Sequence, residues 1–136
     1  MIALASALLA PTVIDVPLNR FEANDSYACG ANPTVGVSFK LVSTPTEHTI
    51  RATYSDGSAR GLPWVTAGVI TKVTLVRSNG EAHWSFAFVD KIDARKVGRL
   101  AIVAEDGKAI RASLRFDGKS YDNMLCLERL DRVKPL

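Results

Sequence analysis

The chain has 136 residues, 47% of them apolar and 23% charged, with 9 Gly, 6 Pro and 2 Cys. Those values suit one globular domain with its own core and exclude a collagen repeat, a coiled coil, a largely disordered chain and a disulfide-dense miniprotein. Seventeen Lys and Arg against 14 Asp and Glu give a net charge of +3 and a pI near 9.0, and no apolar run reaches the ~18 residues of a spanning helix.

The charge is unevenly placed. Residues 1–59 hold 3 basic and 5 acidic side chains, whereas residues 60–136 hold 14 and 9. The cationic C-terminal half favours anionic partners. Nucleic acid is not expected among them: no run of like charge exceeds two residues, and no aromatics alternate with the basic ones.

In chain order, Met1 to Ala10 is uncharged and built almost wholly from Ala, Leu and Ile. Ala5-Ser6-Ala7 reads A-x-A, and Ala10 is a second small residue at a cleavage-type position, so 1–10 is read as a signal-peptide remnant of an exported, periplasmic or secreted, protein. The basic start of such a signal is missing after Met1, and Pro11 follows Ala10 directly. Residues 11–26 then form an N-terminal extension or edge segment, 27–130 the β-domain and 131–136 a C-terminal tail. Cys29 and Cys126 are the only cysteines, and in an exported chain the pair predicts a disulfide. It would tie the first strand region to the last across a loop of ~100 residues.

The body of the chain alternates apolar and polar residues in short runs separated by turn dipeptides. Val35, Val37, Phe39 and Leu41 alternate with Gly36, Ser38 and Lys40, and Thr49 to Tyr54 is a second short strand. Asn79-Gly80 predicts a two-residue hairpin, since a type I′ turn needs positive φ at both positions. That register collects Val73, Leu75, Trp84, Phe86 and Phe88 on one face, with Thr71 opposite Phe88. Around Glu105-Asp106-Gly107 a three-residue loop with Gly107 left-handed pairs Ile102 with Ile110 and Leu100 with Ala112, which predicts a type I turn with a glycine bulge. Between the hairpins Asp90 as N-cap, Asp93 in the first turn and Gly98 past the end predict one short helix near 90–97. Asp117-Gly118 leads to a last strand from Tyr121. The fold expectation is therefore all-β: a single-domain antiparallel β-sandwich or small β-barrel of about seven strands.

Motifs for chemistry are sparse. G-x-S-x-G, a P-loop, G-x-G-x-x-G, C-x-x-C and EF-hand spacing are all absent, so no cofactor and no metal is predicted. Asp90 with Asp93, Glu105 with Asp106, and Asp117 with Asp122 are the carboxylate pairs, most of them accounted for by turns and a helix start. His83 and Asp122 are the residues an unrecognised small hydrolase would use, and His48 borders a connection. Trp64, after Gly61-Leu62-Pro63, is a candidate loop anchor for a ligand or interface, or a plug at the end of the barrel or sandwich.

Tyr27-x-Cys29, the alternation Val35-x-Val37-x-Phe39, Gly57 with Leu62-Pro63, and the late Cys126 stand in an order that resembles the small periplasmic inhibitors of c-type lysozyme. The resemblance implies a small antiparallel barrel whose loops block a glycosidase cleft. The family's inhibitory Ser-Gly-x-x-Tyr is replaced here by Thr66-Ala67-Gly68-Val69, and its Thr-Lys-Gly motif meets only Thr71-Lys72-Val73, so no functional residue is carried over.

One surface feature remains. In the three-residue-loop register Arg99 lies opposite Ser113, and Ala101 opposite Arg111. Arg99, Arg111 and Arg115 then share one face as a candidate basic patch. Arginine suits bidentate capture of carboxylate or phosphate. The expected function is a non-catalytic binding role toward a protein or anionic envelope component; the alternatives are a lysozyme-inhibitor-like protein and the hydrolase.

Overall fold

The computed structural model describes residues 12–32, 35–56 and 64–127. The leader-like segment 1–10, residues 57–63 and the tail 131–136 lie outside them. The described strands are β1 (Thr12–Val16), β2 (Asn24–Asn32), β3 (Val35–Ser43), β4 (His48–Asp56), β5 (Trp64–Ser78), β6 (Glu81–Asp90), β7 (Val97–Glu105), β8 (Lys108–Phe116) and β9 (Lys119–Leu127), with a 3-10 turn at Leu18–Arg20.

Strands β2 to β9 follow one another as antiparallel neighbours, and β9 returns to pair with β2, so the sheet closes into an eight-stranded barrel. Of the two expected architectures this is the barrel. Two of the described strands, β1 and β2, are additional to the expected set of about seven. The stretch Asn24–Asn32 is rich in turn-forming residues and becomes a strand through its pairing with β3, from Asn24↔Val42 to Asn32↔Val35. β1 pairs with the second half of β5, from Thr12↔Arg77 to Val16↔Val73, where β4 no longer reaches.

The 15-residue β5 changes neighbours because it bends. Ile70 pairs with Phe88 and Lys72 with Ala87, leaving Thr71 as an extra residue in a bulge. Bulges sharpen twist and turn corners in closed sheets. This one corrects the expected pairing of Thr71 with Phe88, while the rest of the hairpin register, from Val73↔Phe86 to Ser78↔Glu81, stands as anticipated.

The second hairpin is built differently from the expectation. Asp106 and Gly107 both have positive φ (53° and 77°), Glu105 pairs with Lys108, and the turn is a two-residue one. The extra residue is Ile110, inside β8, because Ala104 pairs with Ala109 but Val103 with Arg111. A bulge two residues past the turn restores the inward phase that the sequence pattern requires. Asp117-Gly118 (49° and 80°) makes a third such turn, with Phe116 opposite Lys119.

No helix forms at 90–97. Asp90 does behave as a cap, its Oδ2 accepting from the N–H of Ile92 (3.0 Å) and of Asp93 (2.9 Å). Its own N–H, however, donates to the carbonyl of Lys96 at 2.8 Å, which closes the connection as a short loop with no room for a helical run.

Inward residues of β2 to β8 form one core: Cys29, Val37, Phe39, Leu41, Ile50, Ala52, Ile70, Val73, Phe86, Phe88, Leu100, Ile102, Ala112, Leu114 and Phe116 are all buried, and Tyr121, Met124 and Cys126 of β9 pack against them half-buried. Eight strands leave an interior just wide enough for side chains to fill. Phe21, on the link from β1 to β2, packs on that core and meets Phe86 (5.6 Å), His48 (5.3 Å) and Trp84 (6.5 Å). Trp64, expected in a loop, is the first residue of β5 and pairs with Tyr54.

Cys29 and Cys126 form a disulfide, sequence separation 97, between directly paired positions of β2 and β9. Among the described residues that seam has three residue pairs: Ala28↔Leu127, Cys29↔Cys126 and Gly30↔Leu125. The covalent link therefore sits in the middle of the described pairing that closes the barrel.

Candidate functional site

The alternation that sends Leu100, Ile102, Ala112, Leu114 and Phe116 inward sends Arg99, Arg111 and Arg115 to the outer wall. Their arrangement differs from the expected one because of the bulge at Ile110. Arg99 lies directly opposite Arg115, Ala101 opposite Ser113, and Val103 opposite Arg111. Arg99 and Arg115 are thus a cross-strand pair, and Arg111 stands on the far side of the Ala101–Ser113 row.

Arg111 is turned toward Glu81, with Nη2 3.9 Å from Oε2, while Oε1 of the same carboxylate lies 3.1 Å from Nε2 of His83. Arg115 Nε lies 3.7 Å from Asp122 Oδ1, an exposed contact of little energetic weight. Arg99 has no acidic partner among the described residues. Two of the three arginines are therefore partly neutralised, Arg111 from β6 across β7 and Arg115 from the adjacent β9, and the pair at Arg99 keeps an excess of positive charge.

Lys72 extends that pair into a row. Successive neighbours across four pairings are Lys72, Ala87, Arg99, Arg115 and Ser120. With strands ~4.8 Å apart, Lys72 and Arg99 are separated by ~10 Å, with only the small Ala87 between them. Beside the row is an open cleft of about 560 Å³ lined by Ala87, Gly98, Arg99, Arg115, Lys119 and Ser120, among others. One acid on its lining, Asp117, is met by Lys96 at 3.7 Å. Lys72 escaped the sequence reading because its place in the row depends on the bulge at Thr71.

The residues considered for hydrolysis are not brought together. His83 is on β6 and Asp122 on β9, with β7 and β8 between them, and their side chains are 42% and 54% exposed. Asp122 accepts from Ser120 Oγ at 3.2 Å. His48 is half-buried at the barrel end, its Nδ1 2.7 Å from Ser43 Oγ, which also accepts the N–H of Ala23 at 2.9 Å. That contact fastens the start of β2 to the β3–β4 connection. Among the described residues no three His, Cys, Asp or Glu side chains gather in a way that could hold a metal ion. No described helix is long and apolar enough to cross a membrane. Among the described residues one carboxyl and one phenol are shifted: Arg95, hydrogen-bonded to Asp93, holds that carboxyl below the usual range, and burial, then Asp25, pushes the Tyr27 hydroxyl well above the usual tyrosine range.

No family model matches the chain, and no curated protein or solved structure matches it either. Thr66–Val69 lies inside β5, in register with β4.

Proposed function

We propose that the protein is an exported, non-catalytic binding domain that docks an anionic envelope component on the outer wall of β5 to β8. The observation that carries this reading is the row of Lys72, Arg99 and Arg115 across that wall, with Arg99 lacking an acidic partner among the described residues. Like charges placed directly opposite each other in a sheet cost stability, and an anion lying along the row offsets that cost. The Cys29–Cys126 disulfide is compatible with an oxidising compartment.

Immobilised protein incubated with periplasmic extract or culture medium tests the proposal. The wild type is expected to capture a partner that high salt releases, and R99S/R115S to lose it. R111S is expected to retain most of the capture, because Arg111 faces Glu81. A monomer that captures nothing and turns over a substrate would overturn the reading.

A further inference from the structure

The first 59 residues contain three basic side chains, Arg20, Lys40 and Arg51. Two of these three are directly opposite each other: Lys40 on β3 pairs with Arg51 on β4. Both are exposed. Neither has an acidic partner among the described residues. The acid of the β3–β4 connection, Glu47, is engaged by Lys91 at 3.2 Å.

The surrounding outward positions are also free of acids. They are Asn24, Ser26 and Ala28 on β2, Ser38 and Val42 on β3, Thr49 and Thr53 on β4, and Ala67 and Val69 on β5. Lys40, Arg51 and the hydroxyls of Ser26, Ser38 and Thr53 line an open cleft of about 310 Å³. Ser26 pairs with Lys40, and Ser38 with Thr53, so the three hydroxyls border the cation pair on two sides.

We propose that Lys40 and Arg51 form an anion-binding site that takes a terminal phosphate group. A guanidinium fork, an ammonium and three hydroxyls offer donors from several directions. That number suits the oxygens of a tetrahedral dianion better than the two of a carboxylate. In the closed sheet β3–β4 and β7–β8 are four strands apart, so this site is on the wall opposite Arg99 and Arg115. It stands on a separate observation and does not depend on the function proposed for β5 to β8.

The test uses three probes that share the phosphate: inorganic phosphate, glycerol 3-phosphate, and phosphatidylcholine vesicles doped with phosphatidic acid. Binding is read by amide chemical shifts for the two soluble probes and by co-sedimentation for the vesicles. Saturable shifts centred on residues 38–40 and 51–53 are expected, with a higher melting temperature in phosphate than in chloride of equal ionic strength. K40T/R51T is expected to weaken binding at these strands at least tenfold, and R20S/R77S, which removes the same charge at two exposed positions outside the site, to leave it unchanged. Whichever probe binds tightest identifies the source of the phosphate. Shifts absent from both strands, together with equal melting temperatures in the two salts and no vesicle binding, would overturn the site. So would phosphate-induced shifts at residues 38–40 and 51–53 that survive in K40T/R51T. If that variant does not fold, the wild-type shift map and the salt comparison decide alone.

Discussion

Replacing both cysteines, C29A/C126A, is expected to cost about 4 kcal/mol of stability and to lower the melting temperature by roughly 15 °C for a domain of this size. The bridge spans 97 positions of sequence, so most of the effect comes from releasing a long loop in the unfolded chain. Placement adds a native-state effect. The bond sits between paired residues of β2 and β9, in a seam with three described residue pairs, so its loss opens the barrel there first. Hydrogen exchange should show amides of residues 28–30 and 125–127 losing protection before those of β6 and β7. A stability change under about 1 kcal/mol would mean that the barrel closes without help from the bridge.

Gly98→Ala is expected to cost about 3 kcal/mol in urea unfolding, at the upper end of overpacking effects. Phe88 on β6 pairs with Gly98 on β7, and its ring lies over the glycine. A Cβ on Gly98 would overlap Phe88 Cζ, come within 2.6 Å of Cε2 and meet the Arg115 carbonyl oxygen at 2.9 Å. The ring has little room to swing, because it also lies close over Gly68, where an added Cβ would come within 2.6 Å of Cδ2, and Phe116 stacks on it at 5.9 Å. Phe88 thus supplies the side-chain volume that two glycines lack. The pair should be coupled: F88L/G98A should lose less than the sum of the single variants, whereas additive losses would show that the ring is not what excludes the methyl.

Much of this architecture is legible in the residues because the information is local. Asn79-Gly80 specifies its turn, and the alternation on either side agrees with it, so Val73, Leu75, Phe86 and Phe88 were assignable to the core. Cys29 and Cys126 were assignable to each other because there was no third cysteine. Where an extra residue can be absorbed in more than one place, the residues alone do not choose. Placing that residue in the turn at 105–107 rather than at Ile110 keeps the arginines on the correct face but sets Arg99 against Ser113 instead of Arg115. The helix expected at 90–97 had its cap but not its length, since the bond from Asp90 to Lys96 closes the loop.

The Lys40–Arg51 pair shows the other kind of limit. Its register depends on the four-residue connection Thr44–Glu47, held by Thr44 N–H to the Glu47 carbonyl (2.8 Å) and by Glu47 N–H to Thr44 Oγ1 (3.1 Å). That turn has no glycine or Asn-Gly signature. Only with Ser43 set opposite His48 do two cations eleven positions apart in sequence fall side by side.

The most direct test of the proposed docking wall is a comparison of two double variants with the same net charge. R99S/R115S removes two cations from the row on β7 and β8, and R20S/R77S removes two exposed cations outside that row, Arg20 on the β1–β2 link and Arg77 at the far end of β5, where it pairs with Thr12 and Ala82. Elution from immobilised heparin, used as a generic extended polyanion, reads the difference under a salt gradient. If anions lie along Lys72, Arg99 and Arg115, R99S/R115S elutes at markedly lower salt than the wild type while R20S/R77S stays close to it. If the two variants elute together, net charge alone governs binding and the row is not a docking site.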